Sequence, residues 1–177
     1  MKHLLVCMIA ALGVIAFVPQ VHAQTDYTPD SLTVLREKFN KPFPTVWKTI
    51  KKLLTERGCA LEMEKQNFDE KTETYKGNIR SEACVLVSGE DSTRDVLLLY
   101  GKVPMIRGGV WVSGRVQYNF SIKDMPDKTV QVVLTAEVSG KEDFITHLVH
   151  FWNSNGILET KLMEDLKKAL AATGEKK

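Results

Sequence analysis

Val110-Trp111-Val112-Ser113-Gly114-Arg115-Val116-Gln117-Tyr118-Asn119-Phe120-Ser121-Ile122-Lys123 is the stretch whose reading decides the fold. Val110, Val112, Val116, Tyr118, Phe120 and Ile122 recur at every second position, and only Gly114 interrupts the row. Successive side chains leave a strand on opposite faces, so alternation of this length marks a half-buried strand. Trp111 falls between the apolar positions, on the polar side. Asp124-Met125-Pro126-Asp127-Lys128 is a turn by composition. Beyond it Val130, Val132, Leu134, Ala136 and Val138 resume the alternation. The two runs predict a long antiparallel hairpin with one wet face and one apolar face, which amphipathic helices must cover.

Two segments fit that covering role. From Thr45, with Pro44 in the first turn, Val46, Ile50, Leu53 and Leu54 fall on one helical stripe, opposite Lys48, Lys51, Lys52 and Glu56. Gly58 suits the left-handed position past the end. Near the carboxy terminus Leu158, Leu162, Leu166, Ala169 and Leu170 form a second stripe, preceded by the helix-start cluster Asn153-Ser154-Asn155-Gly156. Between the first helix and the hairpin, Ala60–Gln66 and Glu73–Arg80 read as two strands at an exposed edge. Cys84–Val87 and Asp95–Tyr100 read as two further short strands. Ser31–Phe39 fits a strand better than a helical turn. Asp143–Trp152 fits either a helix carrying Phe144, Leu148 and Phe151 or an irregular packed segment. The expectation is one α+β domain over residues 31–173. About six antiparallel strands curl around a long carboxy-terminal helix, and a shorter amino-terminal helix packs on the same face. Gly114 is a plausible bend.

Met1-Lys2-His3, the apolar run Leu4 to Val18 and Val21-His22-Ala23 have the three-part pattern of a cleaved signal peptide over residues 1–23. The run falls short of the roughly 20 residues a membrane-spanning helix needs. Residues 24–30 read as a flexible lead-in and 174–177 as a frayed tail, with a periplasmic or secreted destination. Of 24 basic residues cleavage removes Lys2, leaving 23 against 22 acidic. That balance, with no basic run, argues against nucleic acid as the main partner. Of three cysteines Cys7 lies in the signal. Cys59 and Cys84 are expected to form a disulfide in an oxidising compartment, the alternative being two separate buried thiols.

The order strand, helix, curled sheet, long closing helix resembles the helix-grip arrangement. Trp152-Asn153-Ser154-Asn155-Gly156-Ile157-Leu158-Glu159, with Val46-Trp47, Leu53-Leu54 and Gly58, is similar to the helix-grip domains of BamC-type lipoproteins of outer-membrane assembly. This chain lacks their lipid-bearing cysteine at its processed end. The resemblance implies a non-enzymatic envelope domain that binds a protein and brings no catalytic residue or cofactor.

The search for chemistry agrees. His147 and His150, near Glu142 and Asp143, have no third metal ligand at a recognisable spacing. Gly108-Gly109 lacks the lysine of a phosphate loop. The carboxylates are dispersed. What remains is the apolar loop Val103, Met105 and Ile106, which either folds over the sheet end or forms a partner-binding or lid surface, and Trp111, either half-covered by residues 24–30 or a binding anchor. A second reading is a carrier of an apolar, lipid-like ligand lined by Val112, Val116, Tyr118, Phe120, Leu134 and Leu162.

Overall fold

In the computed structural model, which describes residues 33–89 and 93–173, the hairpin is the spine of a seven-stranded antiparallel sheet. The signal segment 1–23, the lead-in 24–30 and the tail 174–177 lie outside the described residues. Along the chain come β1 (Leu35–Phe39), α1 (Phe43–Glu56), β2 (Leu61–Asp69), β3 (Thr74–Ser81) and β4 (Cys84–Ser88). Then follow α2 (Thr93–Tyr100), β5 (Trp111–Asp124), β6 (Val130–Glu142), β7 (Val149–Asn153) and α3 (Ile157–Ala172).

β5 and β6 pair over their full length, Val116 opposite Val138, Tyr118 opposite Ala136 and Phe120 opposite Leu134. Each is flanked by two short strands laid end to end. β3 pairs with residues 119–123 of β5 and β4 with residues 113–116. On the other side β1 pairs with residues 130–134 of β6 and β7 with residues 137–141. Both gaps fall at one level, and each strands a backbone N–H on a buried residue. Such a group costs free energy unless it finds an acceptor. Tyr118 N–H donates to the Ser81 hydroxyl at 2.9 Å. Directly across the hairpin, Ala136 N–H donates to the Glu159 carboxylate at 3.1 Å. Ser81 and Glu159 are fully buried, and the second carboxylate oxygen of Glu159 accepts from the Ser154 hydroxyl at 2.7 Å.

The helices lie on one face. α1 buries Val46, Ile50 and Leu54, as its stripe predicts, and α3 buries Leu158, Leu162, Met163, Leu166 and Leu170. The Trp47 ring lies against Gly77, where an added Cβ would come within 2.6 Å of it, while its indole N–H donates to Glu64 at 2.9 Å.

Three expectations need correction. Asp95–Tyr100 belongs to helix α2, not to a strand. Its three consecutive leucines carry no β-branch to resist a helix, and a short apolar run does not separate the two periods. Leu97 is buried while Leu98 and Leu99 are exposed, as one helical turn requires. α2 lies over the hairpin at Gly114, where a Cβ would meet Leu97 Cδ2 at 2.4 Å. Secondly, Trp111 points inward and is 3% exposed. A bulge between Trp111 and Ser113 shifts the phase, so Val110 turns outward and Val112 is half-buried. Thirdly, the sheet has seven strands. The segment 143–152 is neither a helix nor wholly irregular, because its second part is the edge strand β7.

The disulfide is present, joining Cys59 and Cys84 with Cα atoms 5.0 Å apart. The β2–β3 register ends with Leu61 opposite Ser81, and Glu82 N–H donates to the Ala60 carbonyl at 2.9 Å. The crossing from β3 to β4 then carries Cys84 back to Cys59.

Candidate functional site

The end of the sheet where β6 gives way to β7 is organised by one carboxylate. Glu142 is fully buried, and its oxygens accept from the backbone N–H groups of Val110 (3.0 Å), Phe144 (2.8 Å), Ile145 (2.9 Å) and Thr146. The Thr146 hydroxyl also donates to it at 2.8 Å. Burial alone would raise this acid; the Thr146, Ile145, Phe144 and Val110 N–H groups outweigh it and hold the carboxyl well below its ordinary 4.5. Residues 143–148 therefore wrap around the anion and satisfy their polar backbone inward. Phe144, Ile145 and Leu148 are left outside.

β7 continues the pattern. Ser154 N–H donates to the Ala136 carbonyl and Glu142 N–H to the Leu148 carbonyl, so even-numbered residues face β6. In an antiparallel ladder the alternate residues, Val149 and Phe151, then direct their N–H and C=O groups to the open edge. Their side chains are exposed as well. Phe144 is 65% exposed, Ile145 51%, Leu148 60%, Val149 51% and Phe151 64%. Proteins ordinarily blunt such edges with charge, proline or a cover. Gly101 bridges the far end of this edge at Ser154, but among the described residues no strand pairs with 149–151 on that side and no proline, carboxylate, lysine or arginine stands there.

Beneath the rim lies an aromatic layer. Trp111 meets Trp152 edge-on at 5.7 Å and His150 at 5.5 Å, and both indoles close over Gly140. His150 Nε2 lies 2.9 Å from the Thr146 hydroxyl, whereas His147 is exposed with Nδ1 3.6 Å from Asp143. The two histidines do not converge, and among the described residues no group of three or more metal-ligating side chains forms.

Of the expected contact loop, Met105 alone projects, at 93% exposure. Val103 is buried and Ile106 half-buried against the core. Val116, Tyr118, Phe120, Leu134 and Leu162 meet in the core, whereas Val112 is half-buried and not part of it. The rim is not legible in the sequence, because the spacing of Phe144, Leu148 and Phe151 fits a helix and an irregular packed segment equally and neither predicts an exposed strand edge. Glu142 carries no local signal, since its partners come from two loops.

The described residues define an α+β domain with a seven-stranded antiparallel sheet, and none of its helices is long and apolar enough to cross a membrane. Compared with known protein families, curated proteins and solved structures, the chain matches none.

Proposed function

We propose that this chain is a non-enzymatic, exported protein-binding domain of the helix-grip kind, acting in the cell envelope, with the rim from Phe144 to Phe151 as its docking site. One observation carries the reading: five large apolar side chains, each at least half exposed, flank a strand edge whose backbone groups at Val149 and Phe151 point outward. An edge of that kind accepts an extended segment of a partner through main-chain hydrogen bonds, and the alternate side chains add selectivity. The likeness to BamC-type domains and the disulfide, which fits an oxidising compartment, support the envelope setting.

The carrier reading finds less support. Val116, Tyr118, Phe120, Leu134 and Leu162 are each at most 3% exposed. The walls of a chamber that admits an acyl chain would retain accessible surface.

The test is a rim variant, Phe144→Ser/Leu148→Ser/Phe151→Ser, in the exporting cell. Affinity capture with the wild-type chain is expected to retain a partner that the variant loses, with the variant's thermal midpoint unchanged. A partner held equally by both proteins places the docking site elsewhere. Co-purified lipid without protein would favour the carrier.

A further inference from the structure

On the outer, helix-free face the strand register assembles a second feature. Lys65 on β2, Lys76 on β3, Lys123 on β5, and Arg36 and Lys38 on β1 lie in two adjacent rows that cross five strands. The positions between them are Asn67, Asn78, Ser121, Gln131 and Val133, so the rows contain no acid. All five cations are exposed. Lys76 stands directly opposite Lys123, a like-charge pairing that weakens a sheet. Among the described residues only Lys38 of the five has an ion pair, with Asp127 at 2.8 Å. Lys65, Lys76 and Lys123 also line a shallow depression of about 770 Å³ with Asn67, Asn78 and Ser121; the one acid in its lining, Glu64, is already paired with Lys51 at 2.8 Å.

We propose that this stripe seats the domain on an anionic phospholipid bilayer. The charge is complementary to lipid phosphates, and unrelieved Lys–Lys opposition is the local cost that such a surface would offset. The cations are spread across strands spaced about 4.8 Å apart, giving a band roughly 20 Å wide. That is the breadth of several headgroups, and the depression takes one of them. Aromatic side chains are missing from the two rows, so bases would find no stacking platform there. The stripe is separate from the rim and does not depend on it.

Sedimentation with vesicles of phosphatidylcholine, alone or with phosphatidylglycerol added, tests this on the full mature chain. Binding is expected only to the anionic vesicles and should weaken as salt rises. Lys65→Gln/Lys76→Gln/Lys123→Gln should lower partitioning by about 100-fold, at roughly tenfold or less per lysine. The rim variant should bind as wild type. If the triple variant does not fold, Lys65→Gln/Lys123→Gln replaces it and should lose about tenfold or more. The proposal is overturned by no anionic-vesicle binding, by equal binding to neutral vesicles or by loss through the rim variant instead. Binding of soluble polyphosphate without vesicle partitioning would overturn it too.

Discussion

Removing one hydroxyl tests how the split sheet is held. In Ser81→Ala the side chain loses only the oxygen that accepts Tyr118 N–H at 2.9 Å and donates to the Glu82 carbonyl at 2.7 Å. No apolar contact goes with it. The stranded N–H sits in the core, and leaving such a group unsatisfied costs about 1–3 kcal/mol. At about 2–4 °C per kcal/mol for a domain of this size, the thermal midpoint should fall by roughly 2–12 °C. Ser121→Ala, on the exposed face, should stay within about 0.5 kcal/mol of wild type. Amide exchange provides a local reading, with Tyr118 losing protection before its β5 neighbours. Glu159→Ala strands Ala136 N–H at the partner position, and because Tyr118 and Ala136 are directly paired the two substitutions should not add. A Ser81→Ala protein that melts with Ser121→Ala and keeps Tyr118 protected would refute the account of the gap.

Three further outcomes follow from the packing. Cys59→Ser/Cys84→Ser opens a loop of 25 residues, which the chain-entropy argument values at about 3.5 kcal/mol. The midpoint should drop by about 7–14 °C, and an unchanged melting curve would contradict the bridge. Gly114→Ala drives a methyl to 2.4 Å from Leu97 and should cost about 1–3 kcal/mol, with Leu97→Ala in the same chain recovering part of it. The Glu142 carboxyl is lower in the folded than in the unfolded chain, so its stabilisation is complete above the unfolded value of 4.5 and is lost as pH falls towards the folded value. Glu142→Gln should flatten that acid limb and speed exchange of the Phe144 and Ile145 amides, and an acid limb identical to wild type would refute it.

The parts that were legible in the sequence are those where one period runs uninterrupted. The alternation of Val116 to Ile122 and Val130 to Val138 gave the spine, and the stripes through Ile50 and Leu162 gave the two main helices. The polar residues and Gly77 within Ala60–Gln66 and Glu73–Arg80 mark an exposed edge. Legibility failed where tertiary contact overrides local pattern. The bulge at Val112 turns Trp111 inward, and no single residue type announces a bulge. Leu97-Leu98-Leu99 suits either period. The segment 143–152 stays ambiguous in the sequence, because apolar spacing suggests packing while the buried group that organises it is the charged Glu142. Ser81 and Glu159 are buried for hydrogen bonds made to strands far away in sequence, which a local reading does not contain.

Site-specific photo-crosslinking in the living cell tests the docking claim most directly. A crosslinking residue at Phe151 should capture one protein partner, and the same residue at Leu98, an exposed apolar position on α2, should not. Capture at Leu98 with none at Phe151, or equal capture at both, would contradict the assignment of the rim as the binding site.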